Sequence, residues 1–559
     1  MTSVSNIAHV RILSINDFHG QLPDSSSKVD GVDIGGAATL SAYVQRERAA
    51  NPDGTVFVAA GDLVGAAPPE SSLLKHQSTI AVLDQMGLDL TTFGNHEFDR
   101  GYAEAIRMIY GDGALEQARV RQGIAPAPRT GRRRKGSTAP VDAKAGAAHV
   151  AAAKGKPAWP GSPFPWINAN VVDRKTHKPI LPPYVIKVIN GIKVGFVGAT
   201  TADLKNVTVA KGIPNIVSTD PVAAINRLVP EMKAKGAQTI VVMIHEGGAP
   251  KPAPGSAPGA PATEIQGPIV DIATRLDPAV SGIVSGHSHT EYAVKIAGKQ
   301  VVQAGSYAKA LAEIDLDVDR STGKVVGSSA RVIRNDEHGI QPDAKVAKLV
   351  AGFHAAVAGR TEKVIATLKA PLTRAASPSG ETTLGSVIAD AQRAAAKADI
   401  GLMNPGGVRQ DLAEAGPLKW GTVFGVQPFA NRVMSIELTG AQVLATLEQQ
   451  FSEAGAIMLQ VSGITVHVDA TKPVGHRIVS VTMADGSKLD PAKTYTVAAN
   501  SFLADGGDGF TTLKQGRKRT DHGVDLDALV AHLASTPDLP LAPPGRIVLD
   551  AGALPGHAH

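Results

Sequence analysis

The sequence predicts an α/β protein with more than one domain. Its 559 residues exceed what one hydrophobic core commonly organises, so two or more domains are expected. Hydrophobic residues make up 43% of the chain and charged residues 19%, which is the composition of a folded protein. Short apolar runs alternate with longer segments of helical periodicity, and this alternation is typical of layered α/β domains.

Five apolar runs in the N-terminal half are predicted to be buried strands. They are residues 10–15, 55–60, 192–197, 239–244 and 281–284. Nearly continuous apolar runs of this length suit central strands that have helices on both faces. Helical patterns lie between them, at residues 37–50, 73–86 and 222–235.

Side chains of the kinds that bind metal ions follow these strands. In chain order they are Asp17, His19, Asp62, Asn95, His245, His287 and His289. Ligands of α/β sheets gather at the carboxyl ends of strands, and carboxylate, amide and imidazole groups suit divalent ions. Seven donors are enough for two ions, and a carboxylate such as Asp62 has two oxygens with which to bridge them.

Each of these motifs has an ordinary structural explanation when it is taken alone. Asp17-Phe18-His19 is compatible with a turn, Gly61-Asp62 with a turn or a helix cap, and His245 with a buried core histidine. The motifs at residues 94–97 and 286–289 are less common. The occurrence of all five in order, at strand ends, favours a metal pair.

The C-terminal half is predicted to form a separate domain. Val346, Leu349, Val350, Phe353 and Val357 share one helical face, so a linker helix is expected at residues 336–362. This divides the chain into a first domain at 1–335 and a second at 363–559. The second begins with a helical pattern at residues 383–390 and then mixes strands and helices.

The basic character of the chain is local. Residues 111–160 hold ten Lys/Arg and three Asp/Glu, which leaves the rest of the chain at −2, so the pI of 9.1 does not indicate a nucleic-acid-binding domain. Residues 114–160 are rich in Ala, Gly, Pro and basic residues, and we expect a surface insertion without a core. A second proline-rich loop is expected at residues 250–261.

Cysteine usage and hydropathy exclude other classes of protein. The chain has no cysteine, so disulfides, thiolate metal sites and a cysteine nucleophile are excluded. No run approaches the ~18–20 apolar residues of a membrane helix. The first residues lack a basic-then-apolar leader, so the chain is expected to be a mature or trimmed form.

Taken together, the motifs resemble those of the two-domain 5′-nucleotidase family, whose first domain is a calcineurin-like metallophosphatase. The resemblance covers residues 9–549, apart from the basic insertion and the proline loop. It implies a four-layer α-β-β-α sandwich followed by a mixed α/β domain that binds substrate. It also implies a periplasmic or secreted protein, either a monomer or a weak dimer, with no nucleic-acid partner and no membrane span.

The resemblance assigns roles to the metal-type residues. It implies a first ion held by Asp17, His19, Asp62 and His289, and a second held by Asp62, Asn95, His245 and His287. The ions would be zinc, manganese or cobalt. His96 would be the catalytic histidine, oriented by Asp99. His289 stands where some relatives have glutamine, which affects metal preference more than the existence of the site.

Motifs of the second half resemble the substrate-binding motifs of the same family. Residues implied to bind the nucleotide are Arg374, Asn404, Gly407, Arg409, Phe429, Phe502 and Asp508. Phe429 and Phe502 would sandwich the base, Asp508 would bind the ribose and Arg374 the phosphate. Without the flanking matches, two core phenylalanines would be the better interpretation. The spacing after Arg374 departs from the family pattern, and a second arginine found in some relatives is missing.

The expected function is hydrolysis of nucleotide phosphoesters, with release of nucleoside and phosphate. Alternatives with another substrate are UDP-sugars, 2′,3′-cyclic nucleotides with 3′-nucleotides, and thiosulfate on a sulfur carrier; the base-stacking motifs disfavour the last. A secreted nucleotide-binding protein without turnover is the alternative of another class. Because the metal and base sites lie on separate domains, a domain rotation about the linker helix is expected.

Overall fold

The structure, a computed structural model, describes residues 6–23, 28–29, 32–112, 158–251, 264–336, 339–452, 455–536, 539–540 and 542–554. Most of the predicted basic insertion (114–160) and of the proline loop (250–261) lies outside the described residues. The chain forms two compact units. One comprises residues 1–205 and 211–356, and the other residues 206–210 and 357–559.

The described part of the first unit contains strands β1–β17 and seven helices. Its strands are β1 (Ile7–Ile15), β2 (Lys28–Val29), β3 (Val32–Asp33), β4 (Thr55–Ala59), β5 (Leu90–Thr91), β6 (Val171–Asp173), β7 (Tyr184–Ile189), β8 (Ile192–Thr200), β9 (Ile216–Ser218), β10 (Thr239–His245), β11 (Ala249–Lys251), β12 (Glu264–Gln266), β13 (Val280–Val284), β14 (Glu291–Ile296), β15 (Lys299–Ala304), β16 (Ala310–Asp319) and β17 (Val325–Arg334). Its described helices are Ala37–Ala50, Pro69–Ser72, Gln77–Gln85, Tyr102–Tyr110, Pro221–Ala234, Pro268–Arg275 and Ala344–Thr361, the last of which continues into the second unit.

Two mixed sheets form the centre of this unit. The five-stranded sheet has the order β17-β16-β1-β4-β5, and the six-stranded sheet has the order β14-β15-β13-β10-β8-β7. In the first, β1 pairs parallel with β4 and antiparallel with β16. In the second, β10 lies parallel between β8 and β13. The carboxyl ends of β10 and its parallel neighbours therefore meet at one edge of their sheet.

The two sheets pack face to face. Val10 and Ile12 of β1 belong to a buried cluster with Val194 and Phe196 of β8. Leu13, one position further along β1, packs instead among the helices that cover the outer face. A separate buried cluster joins the outer face of the six-stranded sheet to helices Pro221–Ala234 and Pro268–Arg275. The layers are therefore α-β-β-α, which confirms the predicted sandwich.

Two local expectations need correction. The central strands do not have helices on both faces, because one face of each sheet is covered by the other sheet. The helix predicted at residues 73–86 is shorter, Gln77–Gln85, because residues 73–76 form a turn that separates it from the preceding helix Pro69–Ser72. His76 lies between them with a φ of 60°, and a residue in this left-handed region interrupts the helical hydrogen-bond ladder.

The second unit contains strands β18–β29 and its own helices. Its strands are β18 (Val364–Leu368), β19 (Ile400–Met403), β20 (Gly416–Lys419), β21 (Arg432–Thr439), β22 (Phe451–Ser452), β23 (Gly455–Ala456), β24 (Gln460–Ser462), β25 (Ile464–Asp469), β26 (Ile478–Met483), β27 (Thr494–Asn500), β28 (Arg517–Val524) and β29 (Ile547–Ala551). Its described helices are Thr383–Ala396, Trp420–Val426, Gly440–Glu448, Ser501–Ala504 and Asp525–Ser535.

A five-stranded sheet of order β24-β19-β27-β21-β28 organises the second unit. Its core contains Ile400, Ile436 and Val497 from three adjacent strands, all fully buried. The helix Thr383–Ala396 begins at Thr382, whose hydroxyl accepts from the amide of Gly385 and caps the helix. None of the described helices is long and apolar enough to cross a membrane.

Asp525 in the second unit provides a pH-dependent test of the fold. Burial raises its pKa to about 7, although the amide of Leu526 donates to it at 2.8 Å. The folded chain therefore holds this proton between about pH 4 and 7 while the unfolded chain does not. The unfavourable contribution to stability grows as pH rises through that window and is complete above it.

We predict that Asp525→Asn is more stable than the wild type at pH 8, by up to about 4 kcal/mol, and that this advantage shrinks toward pH 5. Chemical denaturation at both pH values measures the difference. Asp527→Asn, an exposed position in the same helical turn, is the matched control. An advantage for Asp525→Asn that did not change with pH would contradict the prediction.

Candidate metal centre and nucleotide-binding residues

The seven predicted metal donors converge at the carboxyl ends of β1, β4, β10 and β13. His245 ends β10, and the other six lie in loops that follow strands; among these, Asn95 follows β5 at the start of the short 3₁₀ turn His96–Phe98. Three overlapping groups of residues could each hold a metal ion, because the donor atoms within each group lie within 4.8 Å of one another. The groups are Asp17, His19 and His289; His19, Asp62 and His96; and Asp17, Asp62 and His245.

Much of this backbone lies in the left-handed region. The φ angles are 47° at Asp17, 48° at His19, 50° at Asp62, 74° at His287 and 56° at His289. A non-glycine residue in such a conformation costs on the order of 1–3 kcal/mol and persists only where surrounding contacts enforce it. These turns aim the donor side chains inward, and strain of this kind is common at functional sites.

The first group of donors surrounds Asp17. Its Oδ1 lies 3.1 Å from Nε2 of His289 and 3.9 Å from Nε2 of His19. The two histidine Nε2 atoms are 3.2 Å apart. Asp17 is fully buried, and no described residue gives its Oδ1 a hydrogen bond of acceptable geometry. A buried carboxylate oxygen of this kind requires a cation.

The second group surrounds Asp62 and His245. Nε2 of His245 lies 3.1 Å from Asp62 Oδ2 and 3.1 Å from Asn95 Oδ1. The His287 ring stands edge-on to the His245 ring, with centroids 5.0 Å apart. Asp62 also lies 3.9 Å from Nε2 of His19, so it is placed between the two groups.

The protonation of the histidines decides whether these residues fit a metal ion. Nδ1 of His245 is 2.8 Å from the carbonyl of Ala60, and Nδ1 of His19 is 3.0 Å from the carbonyl of Gly65. A carbonyl only accepts, so each Nδ1 carries its proton and the neutral ring presents a lone pair at Nε2. Those lone pairs point at carboxylate and amide oxygens. Acceptors facing acceptors fit a bound cation.

The pKa shifts of the buried histidines and aspartates also indicate that this cluster favours a bound positive charge. Burial lowers the pKa of His245, but Asp62 and Asp17 outweigh burial and raise it to about 10. Burial would raise the pKa of Asp17, but His289 and His245 lower it well below the usual range, and His245 does the same for Asp62. Burial and the charge of His245 lower the pKa of His287.

His96 and Asp99 are paired beside this cluster. Nδ1 of His96 lies 2.9 Å from Asp99 Oδ2, and the amide of His96 donates to Asp62 Oδ1 at 2.8 Å. The His96 side chain is 16% exposed, whereas His19, 5.1 Å away by ring centroid, is fully buried. His96 therefore stands at the accessible side of the donor cluster, with its ring orientation set by Asp99.

Three supporting residues were not assigned a role from sequence. Glu97 accepts from the backbone amides of Asp62, Leu63 and Gly94 at 2.6–3.0 Å and so holds the Asp62 turn against the Asn95 turn. Burial and the charge of Asp62 raise its pKa to about 8. Glu97 lies within the motif at residues 94–97, and this position was the feature of the sequence that could have indicated its supporting role.

Asn16 and Tyr307 support the other side of the cluster. Nδ2 of Asn16 donates to Asp17 Oδ2 at 2.7 Å, and its Oδ1 accepts from the amide of Ala304. The Tyr307 ring stacks on His19 with a centroid distance of 4.9 Å and stands edge-on to His289 at 5.7 Å. Only the position of Asn16 next to Asp17 was visible in the sequence.

The predicted base-stacking residues lie in the second unit and are not core residues. Phe429 and Phe502 are half-buried, whereas Phe510 is fully buried. The Arg409 guanidinium lies 5.8 Å from the centroid of Phe429. A Cβ at Gly507 would come within 2.3 Å of the Phe502 ring, so this glycine allows the ring and backbone to pack closely.

The predicted ribose- and phosphate-binding residues form two groups, each held together by its own hydrogen bonds. Nδ2 of Asn404 donates to Asp508 Oδ2 at 2.7 Å, and Nδ2 of Asn500 donates to Asn404 Oδ1 at 2.9 Å. Nε of Arg374 donates to Asp411 Oδ1 at 3.0 Å, and its Nη1 donates to the carbonyl of Arg409. Arg374 thus has a carboxylate partner that sequence reasoning did not identify. Gly407 is buried in the same turn as Asn404.

Comparison with known proteins agrees with this architecture. Residues 357–515 match the family model described as 5′-nucleotidase, C-terminal domain. The chain is 30% identical to the cell wall protein Lmo0130 of Listeria monocytogenes over 94% of this chain and 67% of that protein. It is 31% identical to the endonuclease YhcR of Bacillus subtilis over 89% of this chain, but spans only 37% of that protein.

A solved structure shows the same fold. The 5′-nucleotidase precursor from Thermus thermophilus superimposes with a TM-score of 0.75 at 25% identity, covering 97% of this chain and 99% of that one. Metallophosphatase layers in the first unit and a matched C-terminal domain in the second define the class. The chain belongs to the two-domain 5′-nucleotidase family.

Asp62→Asn tests the bridging position. Asparagine keeps an oxygen that accepts from the His96 amide but removes the charge that both groups of donors share. We predict loss of metal binding, measured as metal content after dialysis and as the loss of the rise in melting temperature when Mn²⁺ or Zn²⁺ is added. Asp84→Asn, an exposed position on helix Gln77–Gln85, is the matched control. Two ions per chain in Asp62→Asn would disprove the bridging role.

Proposed function

We propose that this protein is a divalent-metal-dependent hydrolase that removes phosphate from nucleotides, with 5′-nucleotides as the preferred class. The observation that carries the proposal is the cluster of acceptors at the strand ends. When their Nε2 atoms are unprotonated, the rings of His19 and His245 face the carboxylates of Asp17 and Asp62 as acceptors, an arrangement that a divalent cation would satisfy. Asp17, His19, Asp62 and His289 would hold one ion, and Asp62, Asn95, His245 and His287 the other.

Two bound divalent ions would supply Lewis acidity toward the phosphoryl oxygens and lower the pKa of an attacking water. The protein side chains would do the rest. Asp99 holds Nδ1 of His96, so Nε2 is the nitrogen that would donate a proton to a phosphoryl or leaving-group oxygen. Glu97 and Asn16 keep Asp62 and Asp17 in the conformation that presents their oxygens.

The second unit would bind the nucleoside. Half-buried Phe429 and Phe502 offer aromatic faces for a base, and Asp508, which accepts from Asn404, offers carboxylate oxygens for ribose hydroxyls. Arg374 would bind phosphate or, because Asp411 already neutralises part of its charge, orient the turn that carries Arg409. A base clamp and a metal centre together favour a nucleotide over thiosulfate.

A second candidate substrate is the phosphodiester bond of a nucleic acid. It is favoured by one observation, the 31% identity to the endonuclease YhcR. UDP-sugars and 2′,3′-cyclic nucleotides are further substrates that the same clamp would accept. We place the protein outside the cytoplasm, secreted or periplasmic, and the support is its similarity to the cell wall protein Lmo0130.

Hydrolysis of a panel of substrates, followed by separation of the products as well as by phosphate release, tests the proposal. The panel comprises AMP, UMP, ATP, UDP-glucose, 2′,3′-cyclic AMP and single-stranded DNA, each assayed after chelation and with Mn²⁺, Zn²⁺, Co²⁺ or Mg²⁺ restored. We expect activity only with metal and the highest kcat/KM with a 5′-nucleotide. Faster cleavage of DNA would favour the second candidate. Nucleotide binding without turnover under every condition would identify a binding protein.

His96→Ala should separate catalysis from metal binding. We predict that both ions remain bound while kcat falls by about 10²–10³, the usual scale for removing one transition-state donor. Metal content and turnover are measured on the same preparation. The donor atom of His96 also lies within 4.8 Å of Asp62 and His19. Loss of an ion in His96→Ala would therefore reassign His96 as a ligand.

Phe429→Ala and Phe502→Ala should each weaken binding of the nucleotide base. Stacking on one ring is worth about 1–3 kcal/mol, so we predict a KM for nucleotides that is about 5- to 150-fold higher. Hydrolysis of p-nitrophenyl phosphate, which has no base, should change little. Phe429→Tyr keeps an aromatic face and is the matched control. Equal losses on both substrates would mean that these phenylalanines are structural.

A further inference from the structure

The six-stranded sheet has a second polar site at its opposite edge, away from the metal donors. A cleft of about 710 Å³ lies at the amino ends of β10 and β13, beside the β14–β15 turn and the start of β17. Four lysines line it, together with two serine hydroxyls: Lys233, Lys295, Lys299, Lys324, Ser281 and Ser328. Its volume is within the range of sites for small organic ligands.

The charge of this cleft is not neutralised by its own walls. Within the part of the chain that the structure describes, no aspartate or glutamate lines the cleft, and none of the four ammonium groups has a carboxylate within 4 Å. Lys233 instead donates to the carbonyl of Gln238 at 3.1 Å, and Lys299 approaches that of Ala297 at 3.5 Å. Four like charges around one cleft repel each other, and a bound anion would relieve that repulsion.

Lys299 makes the cleft more than a patch of surface lysines. The residue is only 4% exposed, and burial lowers the pKa of its ammonium group, while the nearby charge of Asp277 acts in the opposite direction. Asp277 is a single negative charge beside four lysines, so the cleft keeps an excess of positive charge. Lys299 lines the cleft, so its buried positive charge acts on a ligand there through a medium of low dielectric constant.

The cleft is separate from the metal centre. β10 runs from Thr239, next to Gln238 in the cleft wall, to His245 among the metal donors. Seven strand residues at about 3.3 Å each place the two sites on the order of 20 Å apart. The backbone at Gly298 has no described atom within 4 Å of its Cβ position, so a ligand can approach it closely.

We propose that this cleft binds a small anion with several phosphate groups, such as inorganic tripolyphosphate or the triphosphate of a nucleotide. Separate ammonium groups on four chain segments suit phosphates that carry several charges, since each lysine is a compact point charge on a flexible stem. Serine hydroxyls and open backbone would complete the contacts. The site is independent of the hydrolysis proposed for the metal centre.

Binding of tripolyphosphate to the full-length chain tests the proposal. The protein is chelated and dialysed, which removes binding through metal ions, and titrated by calorimetry at 0.05 M and 0.2 M salt. We expect saturable binding that is weakened about tenfold or more in Lys295→Gln/Lys324→Gln, a double variant of two exposed side chains. Lys348→Gln, an exposed lysine on helix Ala344–Thr361, should bind like the wild type.

Three outcomes would overturn the proposal: equal affinity in the double variant, equal weakening in Lys348→Gln, or binding of DNA or long-chain polyphosphate without binding of tripolyphosphate. A parallel titration with ATP separates the sources of the anion. ATP bound at the proposed base site of the second unit should not depend on the cleft lysines, so only the ATP binding that the double variant weakens belongs to this cleft. Similar lysine-dependent affinity for both ligands would support recognition of the phosphates alone, and tighter lysine-dependent binding of ATP would support a nucleotide ligand. Lys299→Met, which keeps the volume of the buried stem, should also weaken binding in either case.

Discussion

A group of buried acceptor atoms dictates the local structure around the strand ends of the first unit. Asp62 Oδ2 and His245 Nε2 are 3.1 Å apart, and the proton on His245 is directed away, to the carbonyl of Ala60. The buried carboxylates of Asp17 and Asp62 need positive charge beside them, supplied by a metal ion or, in its absence, by a second proton on His245, whose pKa they raise to about 10. The turns that hold it are therefore tied down from outside, by Glu97 on three backbone amides and by Asn16 on Asp17.

The strands and the polar residues that follow them were predictable because buried strands consist almost entirely of apolar and β-branched residues. Residues 239–244 are all apolar or β-branched, and β10 is fully buried on both faces. The same pattern could not show what covers each face. A helix and a second sheet both bury Val and Ile, so the expectation of helices on both faces was wrong, while the resemblance to a known family predicted the two-sheet sandwich correctly.

The break at His76 and the geometry of the site show where local sequence information ends. Neither His76 nor the donor turns at Asp17, His19 and Asp62 have glycine at the left-handed position itself, yet all have positive φ. These conformations are imposed by distant partners, such as the amide of His19 on the carbonyl of Asp62. Motif spacing predicted the residues that converge at the strand ends, but it could not show which backbone contacts hold them or that Asp411 pairs with Arg374.

The two ends of β10 lie beside groups of opposite charge. At its carboxyl end, His245 joins carboxylates that require a cation, and at its amino end the neighbouring turns present lysines that have no carboxylate partner among the described residues. In a set of parallel strands, the loops that follow the strands lie at one edge of the sheet and the loops that precede them lie at the opposite edge. Each edge therefore gathers its own set of side chains. The rigid sheet between them keeps the two sets of charges about 20 Å apart, so they do not neutralise each other. This separation would let a single layer of strands support the proposed cation-dependent site on one edge and the proposed anion-binding site on the other.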